Sequence, residues 1–230
     1  MLSIRFFLVG LVATFVLVLG CGGDDKSSSS NDPSEILSAS VAAVQDLDSF
    51  HFKLDHENGS TPMPLSLELT SAEGDIVVPD RLKAEIRAKA SALNIRLDVI
   101  GIGEETWITN PFSRRWERLP GAALREIANP AALVGVLVEA LQDVQLAGMT
   151  EVDGTSTYHL RGTIDSGALA DALPIASPGH TAAVELYVAE SDSLPRRARI
   201  SGPLSNGEPE DIVRQVDFSR FNEPVTIQAP

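Results

Sequence analysis

The chain holds a single cysteine, at position 21, in 230 residues. One thiol cannot close an internal disulfide or furnish a cysteine-rich zinc site, so disulfide scaffolds and zinc ribbons are excluded. Basic side chains are also scarce. Lys and Arg total 18 against 32 Asp and Glu, a net charge of -14. That balance excludes a nucleic-acid surface, because neutralising phosphates takes clustered Lys and Arg. The apolar run Phe6 to Gly20 is too short to cross a bilayer. As a helix it would extend about 22 Å, against a hydrocarbon core of roughly 30 Å. Disorder is excluded too, since 43% of the residues are hydrophobic. What remains is a chain long enough for one domain with a sizeable core.

The single Cys has an informative position. Arg5, a short apolar stretch and then small residues describe a secretory signal over residues 1–20. The stretch ends in Val18-Leu19-Gly20-Cys21, which resembles a bacterial lipobox. In that motif cleavage precedes the Cys, whose sulfur carries a diacylglyceryl group. Leu19 departs from the small or β-branched residue more usual there. Residues 21–32 follow as a Gly- and Ser-rich stretch with nothing apolar to bury after Cys21, as expected of a flexible tether. Losing residues 1–20 removes Arg5 and no acid, which leaves 17 basic against 32 acidic side chains, or -15. An anionic leaflet would repel that charge, so the acyl anchor is the expected source of membrane attachment.

A single domain is expected over 33–230. Asp32, Pro33 and Glu35 form a helix start, with Leu37, Val41 and Val44 at helical spacing and an end near Asp48. The period then becomes two. Phe50, Phe52 and Leu54 alternate with polar residues, as do Leu65, Leu67 and Leu69. Leu82, Ala84, Ile86, Ala88 and Ala90 do the same, and then Leu93, Ile95, Leu97 and Val99. Short turns between them indicate an antiparallel meander. A second helix is expected from Asn129 and Pro130 through AALVGVLVEALQDV. Leu133, Val136, Leu137, Ala140 and Leu141 form its stripe, and Val134 and Val138 make its other side apolar as well. Strand patterns resume at Tyr158 to Ile164, Val184 to Val188, Arg197 to Ile200, Ile212 to Phe218 and Val225 to Ile227. A short helix is expected over Asp165 to Leu173. The count is about ten or eleven strands and two or three helices.

Catalytic and metal signatures are missing from the pattern. The four histidines, at 51, 56, 159 and 180, form no HExxH or CxxC-linked set, and His51 and His159 fall on wet strand faces. Gly154 to Tyr158 starts like a nucleophile elbow but lacks its closing Gly and its helix. Gly101-Ile102-Gly103 fits a hairpin better than a dinucleotide fingerprint. The reading is non-enzymatic, with no cofactor and no metal. Arg114, Arg115 and Arg118 around Trp116 form a local basic patch that could meet lipid headgroups, or a solvated hairpin whose Trp caps the core. The surplus of apolar faces allows a filled core or a cavity between sheet and helices.

The order of these features carries a resemblance. It runs from the lipobox, Ser-rich tether, helix and amphipathic strands to Trp107-Ile108-Thr109-Asn110-Pro111 with Trp116. The Asn-Pro helix follows, then Val152-Asp153-Gly154 leading into Tyr158-His159-Leu160-Arg161-Gly162, and lastly Pro224 to Pro230. From about Pro33 to Pro230 the chain resembles the LppX/LprG-type lipoproteins of mycobacteria and relatives. The resemblance implies an α+β fold, a curved antiparallel half-barrel closed by helices around a cavity for acyl chains of lipids or glycolipids. Ala84, Ala88 and Ala90 would leave room in it.

The reading is therefore a monomeric, extracytoplasmic, membrane-anchored lipid carrier, with an envelope transporter as a further partner. Its expected cavity residues are Phe52, Leu54, Leu67, Leu69, Ile86, Leu97, Leu133, Leu137 and Leu141. The alternative is an anchored binding or sensor lipoprotein with a filled core.

Overall fold

Asp32 opens helix α1 (Pro33–Gln45). Its backbone is extended, and its carboxylate accepts the Ser34 N–H at 2.8 Å, which satisfies one of the donors a helix start leaves without a partner. Pro33 follows as the first helical residue, and the helix ends sooner than Asp48. The computed structural model describes residues 31–63, 66–119, 136–170, 173 and 176–230. Residues 31–230 form one unit.

Twelve strands follow, two-residue alternation being their common driver. They are β1 (Ser49–Glu57), β2 (Thr61–Met63), β3 (Leu67–Val77), β4 (Arg81–Ala90), β5 (Leu93–Ile102), β6 (Glu105–Thr109), β7 (Trp116–Leu119), β8 (Leu141–Val152), β9 (Thr155–Asp165), β10 (Thr181–Ala189), β11 (Pro195–Ser201) and β12 (Val213–Ser219). They form one antiparallel sheet in the order β7-β6-β5-β4-β3-β1-β12-β11-β10-β9-β8, with β2 beside β3. Two meanders, β3 to β7 and β8 to β12, are thus joined by β1. It pairs with β3 through Phe52 opposite Gly74, and with β12 through Phe52 opposite Phe218. The expected α+β half-barrel is present, with twelve strands among the described residues in place of ten or eleven.

Several local expectations change. Helix covers residues 136–140, but Leu141 begins β8, so Leu141 to Val144 are not helical. The expected start of that helix at Asn129 and Pro130, together with Leu133, lies outside the described residues, as does Leu65. In the described part of the expected helix at Asp165 to Leu173, Ser166–Leu169 forms a 3-10 turn, capped by Asp165 Oδ1 accepting the Gly167 N–H at 2.7 Å. Val225 to Ile227 is not a strand. Ile227 is buried instead, and its carbonyl accepts from Arg81 at 3.0 Å. Gly103 turns the β5–β6 hairpin with φ 56°, a conformation suited to glycine.

The two faces of the sheet differ sharply. The outer face is a lattice of ion pairs. His51 and His159 lie on it but are largely shielded, not solvated as expected. His51 Nδ1 is 2.8 Å from Asp75, and the His159 ring stacks on Tyr187 at 4.5 Å. The inner face is apolar. Ile36 and Leu37 of α1 pack there on Leu160, Leu186 and Val188, and Val44 packs with Phe50, Ile76 and Leu82.

Candidate functional site

The inner faces of both meanders converge on a cavity of about 200 Å³. Phe50, Phe52 and Leu54 of β1 form its middle wall. Ile76 and Leu82 come from β3 and β4. Val184, Leu186, Pro195, Ala198, Ile200, Val216 and Phe218 come from β10, β11 and β12. Leu137 and Val138 of the helical residues 136–140, with Leu141, close it from the other side. Every lining side chain is apolar, so a bound group gains only by leaving water, about 0.8 kcal/mol per methylene.

Of the expected cavity residues, Phe52, Leu54, Leu137 and Leu141 stand on this wall. Leu67, Leu69, Ile86 and Leu97 do not. They belong to the adjoining cluster on β3, β4 and β5, where Ile86 and Leu97 are buried with Ala72, Ala88 and Val99. Phe52 and Leu54 touch both groups. Leu133 lies outside the described residues. Sequence reasoning missed Val184, Leu186, Ile200 and Phe218 as wall residues, although each falls within an expected strand. The missing signal was the pairing of β1 with β12, which brings the two meanders onto one concave face.

One end of the inner face is polar. Arg214 of β12 is buried, and its guanidinium donates to Glu208, to the Thr61 hydroxyl at 3.0 Å and to the Gly202 carbonyl at 3.4 Å. Glu208 also accepts the Leu204 N–H at 2.8 Å. His56 Nε2 meets the Thr61 hydroxyl at 2.7 Å, and Nδ1 meets the Thr70 carbonyl at 3.0 Å. Burial holds His56 below the usual imidazole range, and the charge of Arg214 adds to this. Glu208 is held below the usual carboxylate range. Burial pulls it upward, but the Leu204 N–H and Arg214 outweigh that. These partners complete a network that anchors the 202–212 loop, and none of its atoms points into the cavity wall given above.

The basic patch around Trp116 is mostly neutralised. Arg114 donates to Asp98 at 2.7 Å, and Arg118 to Glu105. Arg115 lies in the β6–β7 turn, where its carbonyl accepts the Asn110 N–H at 2.8 Å. Trp116 borders a polar groove on the outer face with His51, Glu73, Asp75, Lys83, Glu85 and Asp98. Among the described residues no group of three or more His, Cys, Asp or Glu is placed to hold a metal.

The sequence pattern of the LppX_LprAFG lipoproteins matches residues 32–227, nearly the whole described unit. The chain belongs to the LppX_LprAFG lipoprotein family. Two solved structures from this family's namesakes share its fold. LprF from Mycobacterium bovis superposes with a TM-score of 0.65 at 18% identity, over 86% of this chain and 96% of that one. Lipoprotein LppX from Mycobacterium tuberculosis superposes with a TM-score of 0.62 at 22% identity, over 86% of this chain and 100% of that one. No curated protein compared with the chain matches it.

Proposed function

We propose that this LppX_LprAFG member is an extracytoplasmic lipoprotein. It is attached to the cell membrane through acyl groups on Cys21, and it holds acyl chains of lipids or glycolipids in the cavity between its sheet and residues 136–141. Residues 1–20 are the signal peptide, and 21–32 form the tether. The observation that carries the reading is the wholly apolar wall built from Phe50, Phe52, Leu54, Leu137, Leu141, Val184 and Leu186. Affinity then follows chain length, and the lipid head stays in water. The role is one of binding and presentation, not catalysis, and an envelope transporter is a fitting partner. A fluorescent fatty-acid analogue should brighten on mixing with the chain and be displaced by lipids extracted from membranes. A probe that stays dim at every protein concentration sinks the proposal.

A second reading has one observation in its favour. A cavity of about 200 Å³ falls below the roughly 300–1,000 Å³ of ordinary ligand pockets. That suits an anchored binding or sensor lipoprotein with a nearly filled core, acting through contacts with another envelope protein. The Leu137→Trp experiment in the Discussion separates the two.

A further inference from the structure

The inner face of β3, β4 and β5 is a ladder of apolar rows, and burial falls along it in one direction. In the row Phe52, Gly74, Ala84 and Val99 only Phe52, at the cavity wall, is partly open, and Val99 is 1% exposed. The next row, Ala72, Ile86 and Leu97, is also buried. One step further, Ala88 is buried, but Leu69 and Ile95 are only half-buried. The last row, Met63, Leu67, Ala90 and Leu93, crosses four strands with every residue at least partly open, and Leu93 is 58% exposed. An apolar surface therefore leads from the cavity, through Phe52 and Leu54, out to the β4–β5 hairpin.

The neighbouring hairpin points toward the same end, because β5 and β6 are antiparallel, and its turn reaches the level of Arg96. Its turn is built to present a side chain. Asn110 Oδ1 accepts the N–H groups of both Phe112 and Ser113 at 3.0 Å, and Arg114 bonds back to the Arg96 carbonyl at 3.2 Å. Held in that turn, Phe112 is 81% exposed. One exposed apolar side chain is ordinary by itself; what sets Phe112 apart is that Leu93 and the open Met63, Leu67 and Ala90 row stand at the same end of the sheet.

We propose that the rim carrying Leu93 and Phe112 is the membrane-facing mouth of the cavity, seated in the apolar edge of the bilayer while acyl chains pass along the Leu67–Ile95 face. This rests on the acyl-binding reading and deepens it. The occupant is a lipid surface for two reasons. The row is continuous with the cavity through Phe52 and Leu54, and the part of a long chain that exceeds a cavity of about 200 Å³ has an apolar face to lie on. Arg114 and Arg115 beside Phe112 suit phosphate headgroups, although Arg114 is shared with Asp98.

The test uses the full lipidated chain in vesicles of phosphatidylcholine and phosphatidylglycerol whose acyl chains are brominated. Phe112→Trp is compared with Glu190→Trp, which sits in the β10–β11 turn on the opposite rim, and the unaltered chain supplies the baseline from Trp107 and Trp116. Quenching selective for Phe112→Trp is expected. In parallel, Leu93→Ser with Phe112→Ser should slow transfer of a pyrene-labelled lipid from vesicle to protein about tenfold or more, with the far-ultraviolet dichroism unchanged. Equal quenching at both rims, unchanged transfer, or a dimer of the unaltered chain in solution that the serine variant abolishes overturns the proposal. If the unaltered chain takes up no labelled lipid at all, the acyl-binding reading itself fails, whatever the quenching shows.

Discussion

Arg214 and Glu208 form an ion pair inside the apolar sheet, with side chains only 7% and 2% exposed. Both ions are removed from water, so the pair is tolerable only because the Leu204 N–H, Thr61 and the Gly202 carbonyl satisfy their remaining groups. Arg214→Met leaves a buried carboxylate without its cation. A loss of about 3–5 kcal/mol in urea unfolding is expected, with the 202–212 loop exchanging amide hydrogens fastest. A change under about 1 kcal/mol would show that the pair is hydrated in solution.

The same network sets a pH dependence. In the folded chain His56 lies below its ordinary 6.5 and Glu208 below its ordinary 4.5. The unfolded chain therefore binds these protons first. Stability is complete above the unfolded values and declines as pH falls through each toward its lower folded value. Thermal melts should weaken first as the pH drops below about 6.5, then again below about 4.5. His56→Gln should remove the first step and keep the second.

Gly74 faces the interior opposite Phe52 and next to Ala84. A Cβ there would lie 2.3 Å from the Lys83 carbonyl oxygen and 2.7 Å from the Ala84 Cα. Backbone cannot yield as a side-chain tip can, so Gly74→Ala should cost about 2 kcal/mol or more. Chemical denaturation measures it, and an unchanged midpoint would mean that the β3–β4 pair has slack.

Leu137→Trp separates cavity from filled core. In a cavity the indole occupies space meant for an acyl chain. The melting temperature then moves by only a few degrees, while bound lipid falls several-fold. In a filled core the same change overpacks, and the chain loses cooperative unfolding.

Cys21→Ser addresses the anchor. Two or three acyl chains hold a protein firmly, whereas a domain of charge -15 without them has no general attraction to an anionic leaflet. The variant should leave the membrane fraction and stop incorporating labelled palmitate. Retention in that fraction with no label would point to the uncleaved signal as the anchor.

The strands were legible in the sequence where alternation was uninterrupted, as at Leu82 to Ala90 and Leu93 to Val99. β8 was not, for two physical reasons. Its register shifts between Gln142 and Gln145 and again between Leu146 and Gly148, so the apolar side chains lose their period of two. The helical spacing before it also continues through Leu141, which disguised the change of structure. Val225 to Ile227 has the opposite fault. Its alternation suits a strand, but it has no ladder partner, and Ile227 is buried without one. On the β1 side of the cavity Phe52 and Leu54 were legible from their alternation, but Phe50, Ile76 and Leu82 were not, because alternation marks a face and not how far along it the cavity lies. The other side was not legible, because Leu54 and Val216 become neighbours only through pairing of the first strand with the last.

Occupancy of the inner cavity by acyl chains decides between the two readings of the site. Native mass spectrometry of the chain purified gently from bacterial membranes tests it most directly. A population heavier than the lipidated protein by the mass of a cellular lipid is expected, released by mild activation and much reduced in Leu137→Trp. A chain that stays at its own lipidated mass, even after incubation with vesicles, would contradict it.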